Sequence, residues 1–367
     1  MRGAPSNPSS VNLTERLSME IRIGKHTLGY GHPAFIVAEM SGNHGGSLER
    51  ALEIVRAAKC SGADAIKLQT YTADTITLKC EREDFRIPGT SPWIDYSTLW
   101  DLYNVAHTPW DWHEALFCEA RRLDMEVFSS PFDETAVDLL ERLEAPAYKI
   151  ASPEITHIPL LERVARTGKP VIISTGIAEL ADIELALDTL RGAGARDIIV
   201  LKCTTAYPAP IEESNLRTIP DMMTRFGVLS GLSDHTMGTA SAVASVALGA
   251  NFIEKHFTLD DAEETVDSFF SSGQEEFSRM VQDIRLVEKA LGRVSYEITP
   301  TALPSLRGRR SIYAAADVKA GDLFTDVNIK CIRPGFGLHP SHYAALIGKR
   351  AKRDIQLGDR LTVSDLE

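Results

Sequence analysis

The sequence predicts a parallel (β/α)8 TIM barrel followed by a small C-terminal domain built from short strands. Eight short, β-branched apolar runs recur between residues 34 and 258. Amphipathic stretches with apolar residues at three- and four-residue intervals separate them, which is the helical period. The span from 34 to 291 matches the ~250 residues typical of such a barrel. The alternative, a doubly wound open sheet, is disfavoured because no glycine-rich nucleotide loop follows the first strand.

The strand candidates are AFIVAEMSG (34–42), ADAIKLQTY (63–71), MEVFSSPF (125–132), AYKIAS (147–152), PVIISTG (170–176), IIVLKCT (198–204), GVLSGLSDH (227–235) and NFIEKHFT (251–258). Near-continuous apolar runs suit strands covered on both faces. Helices are expected over 47–62, 133–145 and 179–194, with Ser47 and Asp133 as N-caps. Thr108, Pro109 and Asp111 in TPWDWHEAL read as another helix start, with Thr108 the cap and Pro109 the first helical residue. The stretch 72–106 is long and carries Pro, Trp and Tyr. It reads as an excursion over one barrel face, a lid or a dimer contact.

Four segments follow. Residues 1–20 read as a disordered tail of Ser, Pro and Asn, residues 21–291 as the barrel, 292–305 as a linker and 306–367 as the small domain. A domain of that size needs docking or dimerisation for stability.

Of the 367 residues, 44% are apolar and 25% charged, as in ordinary soluble proteins, and the net charge is −12. With no basic run, nucleic acid and anionic membranes are poor partners, so any anion must be held by local cations. The five cysteines are scattered without a CxxC pair, which reads as a reduced, cytoplasmic protein without a thiolate metal site. No run of eighteen apolar residues and no signal-peptide core occurs.

In a parallel barrel the chemistry sits at the C-terminal strand ends. Glu39, Lys67 with Gln69, Ser130, Lys149 with Ser152 and Glu154, Ser174, Thr205 with Tyr207, Ser233 with His235, and His256 stand there in turn. His235 and His256 end neighbouring strands, so both face one mouth. Two imidazoles with open positions suit Mn, Zn, Co or Fe; the alternative is two unrelated histidines. Lys67 and Lys149 point into the barrel and need anionic company. Glu39 and Glu154 could supply it as a structural network. The surrounding hydroxyls and two ammonium groups instead form a cradle for a phosphate. A serine nucleophile is disfavoured because no GxSxG elbow occurs. Asp111–His113, His107 and His157 read as cap and surface residues.

The motifs AEMSGNHGG, DAIKLQTY, YKIAS, GLSDHT and IEKHFT, in that order, resemble the sialic acid (nonulosonic acid) synthase family. GRRSIYAAADVKAGDLFTDVNIKCIRPGFGL resembles the antifreeze-like (SAF) domain that follows the barrel in these enzymes. The resemblance covers about 34–367. It implies a condensation of phosphoenolpyruvate with an amino sugar. AEMSGNH, HTPWDWH, PFDETAVD and CTTAYPAP are most similar to members that use a 2,4-diacetamido-2,4,6-trideoxy-altrose; members making legionaminic or N-acetylneuraminic acid are the near alternative. Carried over position by position, the resemblance implies that His235 and His256 hold a divalent metal, usually Mn, with Mg or Co as alternatives. Lys67, Ser130, Lys149, Ser152, Ser174, Thr205 and Ser233 would surround phosphoenolpyruvate, with Thr205 departing from a common Asn. Glu39 would move protons. Gln69, Glu154, Tyr207 and Asp267 would meet the sugar. Arg333 would reach its acyl group across a homodimer, with the small domain over the partner barrel. Two other readings remain: a metal-free aldolase using Lys149 as a Schiff base, and a non-enzymatic glycan- or ice-binding protein.

Overall fold

The structure, a computed structural model, describes residues 18–261 and 264–365. Most of the expected tail, residues 1–17, lies outside the described residues. Two compact units divide the chain after Gly292.

The first unit opens with a hairpin that the sequence reading did not anticipate. Strands β1 (Glu20–Ile23) and β2 (His26–Gly29) pair antiparallel around Gly24, whose φ of 54° lies in the left-handed region. Eight parallel strands then close into a barrel: β3 (Phe35–Glu39), β4 (Ala65–Thr70), β5 (Glu126–Pro131), β6 (Tyr148–Ile150), β7 (Val171–Ser174), β8 (Ile198–Cys203), β9 (Leu229–Asp234) and β10 (Phe252–His256). β10 pairs with β3 and closes the ring.

Period-two alternation sorts the strand residues. Outward side chains such as Ile66, Ile150, Ile173, Val200 and Ile253 pack in one cluster with the helices. Inward side chains near the strand starts, including Phe35, Phe128, Ile172, Ile199 and Phe252, form a second cluster. Ile21, Ile23 and Leu28 of the hairpin join that second cluster and plug the bottom of the lumen. Each such side chain stabilises by roughly 1.5–3 kcal/mol when fully buried. Chemistry is thereby confined to the opposite end.

Helices separate the strands: α1 (Leu48–Cys60), then in the long excursion α2 (Ala73–Ile76) and α3 (Leu99–Ala106), followed by α4 (His113–Arg122), α5 (Glu134–Arg142), α6 (Ile158–Ala165), α7 (Leu180–Gly192), α8 (Thr218–Phe226), α9 (Ala240–Ala247) and α10 (Gln274–Leu291). Ser47 caps α1 by accepting from the Arg50 N–H, and Asp133 caps α5 by accepting from the Ala136 N–H. The expected Thr108 cap is wrong. Residues 110–112 form a single 3-10 turn, α4 begins only at His113, and the buried Thr108 hydroxyl has no partner. His113 is not a surface residue either. It is fully buried, 2.8 Å from Thr70 Oγ1 and 3.1 Å from the Pro109 carbonyl.

In the second unit, β11 (Ser311–Ala314) pairs antiparallel with β12 (Ile329–Ile332), and α11 (Tyr343–Leu346) is one short turn. Ile312, Val318, Phe324, Ile329, Leu346 and Ile355 contribute to a core of its own.

Candidate active site

The inward alternation that fills the lower lumen with apolar groups turns polar one layer higher. Val37 gives way to Glu39, Ala65 to Lys67, Ala147 to Lys149, Ile172 to Ser174, and Phe252 to Glu254. Strand register sets the neighbours: Glu39 stands opposite Lys67 on one side and His256 on the other, and Glu254 stands opposite Ser233.

The result is an alternating charge cluster. Lys67 Nζ lies 2.7 Å from Glu39 Oε2 and 3.6 Å from Glu254 Oε1. Lys149 Nζ reaches Glu254 Oε1 at 3.4 Å from the strand diametrically across the ring. Lys67 also donates to Ser130 Oγ at 3.2 Å, and Ser233 Oγ donates to Glu254 Oε1 at 3.1 Å. Gln69 donates 3.0 Å bonds to Glu39 Oε1 and Ser41 Oγ, and Ser41 in turn donates to Asp267 at 2.5 Å. Lys67 and Lys149 are only 3% and 2% exposed, so each needs these partners.

The environment acts on each charge. Burial pushes the Glu39 carboxyl above its ordinary range despite Lys67. Burial acts upward on Glu254 too, but Lys149 and Lys67 together hold it low. Burial likewise pulls Lys149 down against Glu254, whereas in Lys67 the two carboxylates overcome burial and raise it. Of the two candidate counter-charges read from the sequence, Glu39 pairs with a lysine. Glu154 does not: the second acid is Glu254, which the sequence reading passed over. Its signal was its place two residues before His256, on the same inward face. Glu154 stands at the rim, its carboxyl pushed up to about 7 by burial and its buried Oε2 unpartnered.

Beside the charges, Ser152 Oγ accepts from the Gly176 N–H at 3.0 Å, and Ser174 Oγ is buried with no partner. A Cβ at Gly176 would collide with Thr205 Oγ1 and crowd Ser152 Oγ, so only glycine lets the backbone amide approach so closely. Donors are thus gathered beside the ammonium groups, as an anion requires.

His235 and His256 have ring centroids 5.3 Å apart. His235 Nδ1 lies 2.9 Å from the Thr204 carbonyl and 3.9 Å from Cys203 Sγ. The carbonyl fixes the proton on Nδ1 and leaves Nε2 as acceptor, the arrangement of a metal-ligating histidine. Burial, with the cationic groups around it, keeps His256 neutral, and its Nδ1 is buried without a partner. Among the described residues no group of three or more His, Cys, Asp or Glu side chains could hold a metal ion. The two imidazoles would therefore hold a divalent cation as a pair.

The long excursion roofs this floor. Trp93 packs on Tyr207 at 5.6 Å between ring centroids and donates to the Val266 carbonyl; Tyr207 lies 4.6 Å from His235. Ile87, Leu99, Leu102 and Tyr103 wall a cavity of about 350 Å³ whose floor includes Gln69, Thr205, His256 and Asp267. Of the residues singled out in the sequence, Arg333 alone lies in the second unit, exposed just beyond β12.

A closed parallel barrel with this charged upper lumen is the architecture of a TIM-barrel enzyme. The chain belongs to the NeuB family, whose model matches residues 54–296, and an SAF domain is matched over 309–367. A pseudaminic acid synthase of Campylobacter jejuni is 45% identical over 90% of this chain and 96% of its own length. An N,N'-diacetyllegionaminic acid synthase of the same species is 35% identical over 87% of this chain and 96% of its own. Among solved structures, an N-acetylneuraminic acid synthetase from Leptospira borgpetersenii, in complex with citrate, superposes with a TM-score of 0.69 at 29% identity, covering 78% of this chain and 95% of that one.

Proposed function

We propose that this protein is a pseudaminic acid synthase. It condenses phosphoenolpyruvate with 2,4-diacetamido-2,4,6-trideoxy-β-L-altropyranose and water, giving a nine-carbon nonulosonic acid and phosphate. The observation that carries this reading is the pair of buried lysines that share Glu254, with hydroxyls beside them and two imidazoles at the ends of neighbouring strands.

In this reading Lys67 and Lys149 take the phosphate and carboxylate of phosphoenolpyruvate. Ser130, Ser152, Ser174, Ser233 and Thr205 donate the remaining hydrogen bonds, with Ser152 held in place by the Gly176 N–H. Such fixed donors in a water-poor site act strongly on developing charge. His235 and His256 would hold a divalent ion, Mn first, with Mg or Co as alternatives. When bound, it supplies Lewis-acid polarisation of the sugar's aldehyde oxygen. Gln69, Glu154, Tyr207 and Asp267 orient the open-chain sugar so that its aldehyde carbon meets the enol carbon. A new carbon–carbon bond forms there. Water then adds to the neighbouring, electron-poor carbon, and Glu39 takes its proton. The C–O bond to phosphate breaks last, releasing inorganic phosphate.

The apolar wall of Ile87, Leu99 and Leu102 supports a sugar with a methyl at C6 and two acetamido groups. We assign Arg333 to the sugar's acyl group, supplied by a second copy of the chain in a homodimer. We place the enzyme in the cytoplasm; among the described residues no helix is long and apolar enough to cross a membrane. Buried Lys149, its pKa lowered by burial, keeps a Schiff-base aldolase as the second reading.

The test is incubation with phosphoenolpyruvate and a panel of acetamido-hexoses, with phosphate release followed and the acid identified by mass and NMR. The altrose derivative is expected to turn over best. Trapping of pyruvate by borohydride, with no phosphate release from phosphoenolpyruvate, would replace the reading by the aldolase.

A further inference from the structure

One buried charge pair plays no part in the cluster above. Lys255 and Asp234 are each 2% exposed and stand opposite each other in register on β10 and β9. Alternation turns both away from the lumen, between outward-facing Leu232 and Ile253 on one side and Phe257 on the other. Neither lines the cavity above the mouth, so neither is placed to meet substrate. Outside the lumen, the ion pairs Arg50–Asp261, Arg163–Asp138 and Arg285–Asp64 each leave at least one partner more exposed.

The pair straddles the two histidines. Lys255 Nζ donates to Asp234 Oδ2 at 2.9 Å and to the Thr236 carbonyl at 2.6 Å, gripping the chain on both sides of His235. Asp234 Oδ1 accepts from the Thr236 N–H at 3.0 Å and the Thr236 hydroxyl at 2.8 Å, closing a tight turn around the same residue. His256 follows Lys255 directly. The Ala209 N–H donates to the His235 carbonyl at 2.9 Å, tying the turn to the loop after β8. Apolar residues at these two positions would avoid the desolvation of two ions, and such replacements are often neutral or stabilising. Stability alone therefore does not account for the pair. What it supplies is geometry: a directional link on the outer face between two strand ends that are joined on the lumen side by Ser233 and Glu254.

We propose that Lys255 and Asp234 are positioning residues that fix the spacing and orientation of His235 and His256 for a shared divalent cation. This rests on the reading of the two histidines as a cation site. The ammonium joins the His235 turn to the strand carrying His256, so the two imidazoles move as one unit.

The test is titration of the full-length protein with Mn2+ alone, by calorimetry or by the EPR signal of free Mn2+, with thermal unfolding and phosphoenolpyruvate affinity measured on the same samples. The double variant Asp234→Asn/Lys255→Met removes both charges, leaves no unpaired ion, and keeps an oxygen for the Thr236 turn. It is expected to unfold within a few degrees of wild type, to bind phosphoenolpyruvate within about threefold, and to bind Mn2+ at least tenfold more weakly. Should the double variant not fold, Asp234→Glu keeps the pair but lengthens the arm. A several-fold loss of Mn2+ affinity is then expected. Wild-type Mn2+ affinity in a folded variant overturns the proposal while leaving the function intact. A wild-type protein that binds no Mn2+ overturns the two-histidine reading itself, and the clamp with it.

Discussion

Glu39 and Lys67 stand in register on adjacent strands, their charged atoms 2.7 Å apart, in a lumen closed to solvent from below. The contact joins the candidate proton carrier to one of the two cations that would hold phosphoenolpyruvate. Burial pushes the Glu39 carboxyl up while Lys67 pulls it down, so binding an anion at Lys67 weakens the pull and makes Glu39 a stronger base.

Glu39→Gln is therefore expected to lower kcat by about 10²–10⁴. Phosphoenolpyruvate affinity should stay within a few-fold, because both lysines remain paired with Glu254. Steady-state kinetics with direct phosphoenolpyruvate binding decides this; a variant that keeps its kcat removes Glu39 from the proton-transfer step.

Among the described residues, Glu254 is the one carboxylate in contact with both lysines. Glu254→Ala leaves two ammonium groups short of a partner, and breaking such buried pairs costs about 3–5 kcal/mol. Inorganic phosphate should restore part of that loss by taking the carboxylate's place, giving a larger thermal shift in the variant than in wild type. An equal shift in both would mean that phosphate does not bind at the lysines.

The roof should set sugar preference. Leu102→Asn places a hydrogen-bond partner for a 6-hydroxyl within the apolar part of the wall formed by Ile87, Leu99 and Leu102. The ratio of kcat/KM for the 6-deoxy diacetamido sugar over N-acetylmannosamine is expected to fall by roughly 10-fold, within the ~10²-fold range over which apolar pockets reject a hydroxyl. A ratio that does not move assigns selection to other residues.

Glu154 should leave a pH signature. Burial lifts its pKa from 4.5 to about 7, with Lys149 only partly opposing. The folded state thus keeps a proton that the unfolded chain releases, and this contribution to stability falls as pH rises from 4.5 through 7. Glu154→Gln abolishes the effect. Its stability relative to wild type should grow by roughly 2–3 kcal/mol between pH 4.5 and 8, measured by denaturant unfolding. Parallel curves across that window would contradict the raised pKa.

His235→Ala should lose bound metal and turnover while keeping its fold. Chelation should silence the wild type, with activity restored by Mn2+. Metal analysis beside circular dichroism separates this from misfolding, and unchanged metal content argues against the histidine assignment.

The eight strands were legible because each keeps a β-branched apolar run long enough to define its period. That period fixes which side chains point inward, so Glu39, Lys67, Lys149 and His256 could be placed at one mouth from the sequence. The hairpin of Ile21, Ile23 and Leu28 was not legible, because four-residue strands carry too little pattern until the lower lumen gives them something to fill. The absence of an α-helical start at Thr108 has the same character: the local cap signal was outweighed by burial of His113 against Thr70.

What the sequence alone determined was the kind of side chain in each layer, since alternation is a local property of the backbone. What only the tertiary structure decided was which charges meet. Glu254 reaches Lys149 across the full width of the ring because closing the barrel brings together strands that lie far apart along the chain, and Lys255 meets Asp234 on the outer side because β9 and β10 pair in register. A Coulomb contact depends on distance in space, and no periodicity along one strand encodes the distance to another.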